Sequence, residues 1–365
     1  MKHYDLIVLG TGAIGGAAMF HATRRGLTTL GLDRFPPGHD RGSSHGESRL
    51  IRLSYIEHPD YVPMLRRSYA LWDELDPGLL HRSGIAYIGP PQGATLQGVL
   101  ASAREHDLLV ETRPPEAFPH FKLPEGHGLV FEPDGGWLPV ERCVETHIAR
   151  AVAAGAEHRW GESILSWEET AHGVIVRTDV AEYRAARLIV AAGAWSDDLL
   201  KRLALPLTVQ RKHLHWFECD DERYRTGFFF ERDEGDFYGF PARNGRLKLA
   251  EHSGGETISD PLGASTEPDP EDSGRIDEFV RRCLPGVRGA RVEHKTCFYT
   301  RTPDHHFILD HYPGSRRIAF AAGLSGHGFK FAPVLGEQLV QLVEDGETRL
   351  DTSFLSLSRF GLAEA

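Results

Sequence analysis

The chain has 365 residues, of which 41% are hydrophobic and 25% charged, and its formal net charge is −11. It is long enough for two domains with substantial cores and too apolar for a disordered chain, and with no basic tail or stripe to offset the charge it disfavours nucleic acid or an anionic membrane as main partner. No apolar run reaches membrane-spanning length, and the N-terminus enters the first predicted strand without room for a signal peptide, so the cytoplasm is the default address. Cys143, Cys219, Cys283 and Cys297 lie far apart with no Cys-x-x-Cys, which predicts reduced thiols rather than a disulfide framework or a zinc ribbon.

In chain order, the apolar run Tyr4 to Leu9 predicts a strand that passes directly into Gly10-Thr11-Gly12-Ala13-Ile14-Gly15. A helix-like stretch from Gly16 to Arg25 follows, then a second apolar run from Leu27 to Leu32 that ends on Asp33 and Arg34. This is the pattern of a dinucleotide cradle. Gly10 permits the tight turn, Gly12 lets the backbone approach a pyrophosphate, and Gly15 lets the helix lie on the sheet; Ala13 and Ile14 belong to the same cofactor-binding turn, and the N–H groups at the helix start face the phosphates. Asp33 is placed to accept hydrogen bonds from ribose hydroxyls and to repel the extra phosphate of NADP. The cradle alone does not choose between NAD and FAD.

The segment Ser43-Ser44-His45-Gly46-Glu47-Ser48-Arg49-Leu50-Ile51-Arg52 carries three basic groups between small residues, on the phosphate side of the sheet. It predicts a loop that folds over a cofactor, with Ser44 and Ser48 touching phosphate or backbone. Gly84 to Gly89, Gly128 to Glu132, Leu214 to Glu218 and the aromatic-rich Gly227 to Tyr238 predict a mostly antiparallel sheet. Arg187 to Trp195 and Ile318 to Gly328 each run apolar into glycine, as buried parallel strands do, and Pro333 to Val343 predicts a helix behind the second glycine-rich loop. Gly254 to Pro270 reads as a surface excursion. The predicted fold class is α/β plus α+β: a discontinuous, doubly wound Rossmann-like domain over 1–83, 140–207 and 316–365, and a β-rich substrate domain over 84–139 and 208–315. The crowded Asp304, His305, His306, Asp310 and His311, and the pair His213 and His215, match no standard zinc spacing, so no metal is expected.

Six segments in register carry a resemblance: Gly10 to Gly15, Ser43 to Arg52, Tyr238-Gly239-Phe240-Pro241, Leu247-Lys248-Leu249-Ala250-Glu251-His252, Cys297-Phe298-Tyr299-Thr300 and Gly323 to Phe331. Together they resemble the monomeric sarcosine oxidase and N-methyl-L-tryptophan oxidase family, FAD-dependent amine oxidases of the D-amino acid oxidase-like superfamily. Arg82-Ser83-Gly84, Phe131 to Gly136, Arg211-Lys212 and Leu357-Ser358-Arg359-Phe360 add likeness to the tryptophan-derivative oxidases, whereas Arg41 to Gly46 and Lys330-Phe331-Ala332-Pro333 also look like pipecolate oxidases.

The resemblance implies FAD as cofactor, joined through its 8α carbon to Cys297. It implies that Arg52 and Lys330 hold the substrate carboxylate, that His45 and Arg49 cover one flavin face, and that Gly326, His327 and Gly328 bring backbone donors near the N1–C2=O edge, with Gly323 in the same loop also a cofactor-binding residue. Lys248 resembles the lysine that reaches flavin N5 through a water and promotes the oxygen reaction. His252, four residues on, shares its strand face and reaches the substrate. Tyr238 and Tyr299 resemble the tyrosines of the substrate cavity, and Phe229 borders the same pocket. The implied reaction is oxidation of a secondary, N-methyl or cyclic amino acid by O₂, giving an imine and hydrogen peroxide, in a monomer that needs no nucleic acid or membrane. A pipecolate-type oxidase and an NAD-dependent dehydrogenase are the alternatives. One departure concerns the loop Tyr55-Ile56-Glu57-His58-Pro59-Asp60-Tyr61, which lacks the glycines of the relatives; Pro59 stiffens it.

Overall fold

The computed structural model describes residues 2–362. Its first strand, His3–Leu9, lies between Thr29–Asp33 and Glu182–Val190, parallel to both. Ile318–Ala322 extends the parallel set beyond Glu182–Val190, and Glu157–Trp160 extends it beyond Thr29–Asp33. Thr29–Asp33, Ile318–Ala322 and most of His3–Leu9 are buried and largely apolar because both faces of the sheet are covered there, whereas the edge strand Glu157–Trp160 is polar and half-exposed. Helix Ala13–Arg24 covers one face together with Val140–Ala153 and Ala332–Asp345. The crossing is close: a Cβ at Gly336 would lie 2.6 Å from the Ala18 nitrogen. The helix starts at Ala13, three residues before the predicted Gly16, because Gly12 already acts as its N-cap.

A second, nine-stranded sheet is mostly antiparallel. Its centre is Thr208–Glu218, flanked by Arg246–Glu251 and Arg291–Arg301, with Gly235–Gly239, Gly227–Arg232, Ile85–Gly89 and Gly128–Glu132 following outward. The Gly227–Arg232 strand runs parallel to Ile85–Gly89. One face packs on helix Pro270–Cys283, whose N-cap Asp269 accepts from the backbone of Glu271 and Asp272. The opposite face gathers Trp216, Phe229, Tyr238, Cys297 and Tyr299. The alternation of residues along each strand thus sorts the sheet into a structural face and a site face.

A three-stranded sheet joins Ser48–Ile51, His81–Arg82 and Gly136–Pro139. Within the segment predicted as a loop over the cofactor, Ser48–Ile51 is therefore a strand, with Arg49 held in register with Leu138. Ile308–His311, grouped by sequence with the β-rich residues 208–315, pairs instead with Ile318–Ala322 in the first sheet, because residues 312–317 turn the two apolar runs into a hairpin. The excursion after Gly254 contributes the short strand Glu256–Ile258 and is otherwise largely exposed. No helix among the described residues is long and apolar enough to cross a membrane.

Candidate active site

A cleft opens where the parallel strands end. Gly10 turns the chain there at φ +80, and any Cβ on it would sit 2.6 Å from the Ala191 carbonyl oxygen. A Cβ on Gly15 would lie 1.8 Å from the Gly10 oxygen, so that glycine serves helix–strand contact and does not itself line the cleft. Gly12, Ala13, Ile14, Asp33 and Arg34 line one wall, and Ser44 and Arg49 another, while Gly323, Gly326 and Gly328 close the inner end. The Asp33 carboxylate accepts from the Thr11 nitrogen at 2.6 Å and the Phe35 nitrogen at 3.0 Å, which fixes it at the cleft while leaving lone pairs free. Ser44 Oγ accepts from the Ala13 nitrogen at 3.4 Å. Trp195 Nε1 and Thr300 Oγ1, both from residues of the cleft wall, are buried without a hydrogen-bond partner. A long, polar, negatively charged dinucleotide along this wall fits the glycine turn, the helix N-terminus and these orphaned donors.

At the inner end the strands of the second sheet supply aromatic groups. Tyr299 lines the cleft, and Gly326, at φ +83, approaches its ring so closely that a Cβ would lie 2.3 Å away. Tyr238 Oη lies 3.5 Å from Tyr299 Oη, and Tyr299 Oη lies 3.4 Å from His252 Nδ1. Phe229, opposite Tyr238 in register, puts its ring 6.0 Å from that of His252. His252 sits one residue past its strand, and burial together with the neighbouring Lys212 holds its pKa well below the usual imidazole range, so the ring is neutral. Cys297 shares the face of Tyr299, two residues earlier on the strand, and is a buried free thiol.

Lys248 lies on the same face, with Nζ 4.5 Å from the Phe240 ring. It donates to the carbonyls of Gly46 and Ser48, the latter at 2.8 Å. Burial, reinforced by Arg49, pushes its pKa well below the usual ammonium value. Arg49 spends its guanidinium on the segment that carries it, donating to the Ser48 and Ser43 carbonyls at 2.9 and 2.8 Å. His45 is buried with both ring nitrogens unpartnered, and burial followed by Arg49 lowers its pKa to about 4. The three basic groups of this segment are therefore two cations and a neutral ring.

Arg52 and Lys330 form a second polar centre, both buried. Each holds its charge near the Tyr55 ring, at 5.0 and 5.1 Å from the centroid. Arg52 donates through NH2 to both carboxylate oxygens of Glu57 at 2.8 Å. Burial pushes the Glu57 carboxyl up, but Arg52, then His327 and Lys330, outweigh it and bring the pKa down to about 2. Lys330 donates to the His327 carbonyl at 2.6 Å, and burial followed by Arg52 lowers its pKa to about 7. Tyr55 Oη bonds His327 Nδ1, whose ring is neutral because its pKa falls to about 4 on burial. The backbone beyond Arg52 is pinned by the buried Glu132 carboxylate, which accepts from the Leu53 and Ser54 nitrogens and from Tyr87 Oη at 2.8 Å.

The predicted residues thus fall into one connected region. Glu57, Glu132 and Tyr55 belong to it and escaped assignment by sequence; the proximity of Glu57 to Arg52 in the chain was the one available hint. Arg34 lines the cleft beside Asp33. Among the described residues no group of three histidine, cysteine, aspartate or glutamate side chains is arranged to hold a metal. His213 pairs with His294 and His215 with Asp272, on the structural face of the sheet.

The family model described as FAD dependent oxidoreductase matches residues 5–342. Monomeric sarcosine oxidase of Bacillus sp. (strain NS-129) is 35% identical over 378 residues, covering 99% of this chain and 98% of that protein. N-methyl-L-tryptophan oxidase of Yersinia pestis (strain Pestoides F) is 38% identical over 375 residues, covering 98% and 99%. Among solved structures, NikD, an unusual amino acid oxidase essential for nikkomycin biosynthesis, superposes with a TM-score of 0.86 at 24% identity over 98% of each chain. L-proline dehydrogenase from P. horikoshii gives 0.87 at 17% identity over 100% and 99%, which is a likeness of fold. With a nucleotide cleft at the strand ends and full-length matches on every side, the chain belongs to the family of FAD-dependent oxidoreductases.

Proposed function

We propose that the protein is an oxidase of secondary amino acids, N-methylated or cyclic, that produces hydrogen peroxide. The observation that carries this reading is the buried pair of basic side chains Arg52 and Lys330 with a carboxylate, that of Glu57, already bonded to Arg52 NH2 while Arg52 Nε has no partner. A guanidinium in that position grips a carboxylate by charge-assisted bonds, so the pocket recognises an amino acid's acid end even though the chain as a whole is acidic. Similarity over the full length to sarcosine and N-methyl-L-tryptophan oxidases supports the amine chemistry.

In this proposal the substrate carboxylate displaces Glu57 and binds Arg52 and Lys330. Tyr238, Tyr299, His252 and Phe229 wall the space around its nitrogen, and their neutral rings favour the uncharged amine. FAD, held in the cleft by the Gly10 turn, Asp33 and Ser44, would supply the two-electron acceptor for the C–H beside that nitrogen and the reactivity toward O₂. Lys248 provides the fixed positive charge that lowers the barrier to forming superoxide. The resulting imine takes up water, so an N-methyl amino acid, O₂ and water give the amino acid, formaldehyde and hydrogen peroxide. Cys297 is the residue we assign to covalent attachment of FAD, and we take the active species to be a monomer.

A peroxide-coupled screen of sarcosine, N-methyl-L-tryptophan, L-pipecolate and L-proline tests the reading. Turnover of at least one, with kcat/KM falling about a hundredfold in Arg52→Ala, is expected for a buried charge pair. No peroxide from any secondary amino acid by the yellow holoenzyme overturns it.

A further inference from the structure

Gly46 and Glu47 occupy consecutive left-handed conformations, φ +88 and +69, between the cleft and helix Val140–Ala153. A non-glycine residue at positive φ is strained and persists only where its surroundings hold it. At Gly46 a side chain is disfavoured by the positive φ, and its Cβ would also press on Leu214 Cδ1 at 2.5 Å. What holds the pair is the Glu141 carboxylate in the first turn of that helix. It accepts from the Gly46 nitrogen at 2.6 Å and from the Glu47 nitrogen at 3.1 Å. The Val140 nitrogen in turn donates to the Glu47 carbonyl at 3.1 Å.

The peptide between Gly46 and Glu47 is therefore bonded at both ends to opposite charges. Its N–H points to the Glu141 carboxylate and its C=O receives Lys248 Nζ. A peptide group polarised in this way transmits attraction between an anion and a cation that do not touch, and it does so in a region where little water screens them. We propose that Glu141 is a positioning residue for Lys248, acting as its counter-ion through the Gly46–Glu47 peptide and fixing the segment that covers the cofactor cleft. This rests on the assignment of Lys248 to the oxygen reaction made above.

The groups facing Lys248 single out Glu141. From the segment Ser43 to Arg52 come His45, Glu47 and Arg49, from Thr208–Glu218 the Trp216 ring at 5.6 Å, from Arg291–Arg301 Cys297, and from the chain before the Lys248 strand Phe240. His45 is neutral and Arg49 is a like charge. Glu47 is paired with Arg246 and accepts from Trp216 Nε1 at 3.0 Å. Glu141 is instead satisfied by main-chain donors, so its charge acts on the cations around the segment. Removing that charge makes the buried ammonium easier to deprotonate, because a nearby anion favours the cationic form.

Two measurements on Glu141→Gln test the inference, with Glu141→Asp as the conservative control. Amide exchange in peptides covering residues 43–49, followed by mass spectrometry with and without FAD, is expected to quicken about tenfold in Glu141→Gln and less in Glu141→Asp. Reoxidation of the reduced holoenzyme by O₂, followed against pH, is expected to lose its rate at a pH about one unit lower than in the wild type. Unchanged exchange, or a coincident pH profile, overturns the proposal. Lys248→Met separates the two ideas. If it reoxidises at the wild-type rate, the oxygen role of Lys248 fails and the exchange result alone judges the peptide bridge. If it is slow while the Glu141→Gln profile matches the wild type, the oxygen role stands and the counter-ion proposal fails.

Discussion

Arg52 is buried with its NH2 paired to Glu57 and its Nε left without a partner, and a buried ion pair is costly to break yet exchangeable for another carboxylate that meets the same guanidinium. The Glu57 carboxylate competes with the substrate for the same guanidinium fork. Glu57→Gln keeps the shape and removes the charge, so a substrate or a simple carboxylate inhibitor is expected to bind about three- to tenfold more tightly, read as KM and as Ki. Weaker binding would instead make Glu57 part of the recognition surface. Lys330 adds a pH dependence. Burial and Arg52 bring its pKa to about 7, and the protonated amine is the form that attracts an anion. Carboxylate affinity is therefore expected to be high below pH 7 and to fall as the pH rises through it, with bound substrate moving the midpoint upward. Lys330→Met should flatten that limb in a plot of log KM against pH.

Helices Ala13–Arg24, Val140–Ala153 and Ala332–Asp345 meet behind the cradle, and the first two bury His21 and His147 with Nε2 of each unpartnered. Burial, aided by Arg24 for His21 and by His21 for His147, lowers both pKa values to about 3. The folded protein thus keeps neutral rings that the unfolded chain protonates below its ordinary value of about 6.5. The stability they confer is fully present above that value and is lost as the pH falls toward 3, because the unfolded state binds more protons there. A drop of order a few kcal/mol in unfolding free energy between pH 7 and pH 5 is expected from denaturant titrations, and His147→Phe should shallow the slope. At the cradle's own helix start the constraint is steric. Gly15→Ala drives a methyl into the Gly10 carbonyl at 1.8 Å, and loss of yellow colour from the purified protein is the expected result.

At the scale of the whole chain, what the sequence made legible is what is local. The strand, glycine turn, helix and acid from Tyr4 to Asp33 announce the cradle within thirty residues, and the inner parallel strands announce themselves by apolar runs, whereas the polar edge strand Glu157–Trp160 carries no such signal. The contacts that complete the site are not local. Glu141 reaches Gly46 across 95 positions and Glu132 reaches Leu53 across 79, and no periodicity encodes which buried carboxylate will meet which turn. A still larger sequence separation divides the two sides of the cleft, which Ser43 joins by donating to the Phe298 carbonyl at 2.7 Å, 255 positions away. Cys297 lies next to that junction, on the strand of the second sheet, whereas the glycine cradle belongs to the first. A cofactor bonded at Cys297 and cradled at Gly10 would fasten one sheet to the other. For a ligand held reversibly, stabilisation depends on its free concentration, by about 1.4 kcal/mol for each tenfold change when the ligand is in excess. For a tethered one it does not. Cys297→Ser is therefore expected to release its flavin to the supernatant on acid precipitation, and its Tm to rise with added FAD and fall on dilution, while the wild-type Tm stays fixed. A wild-type protein whose flavin is extracted by acid, or whose Tm tracks free FAD as the variant's does, would assign Cys297 to packing alone.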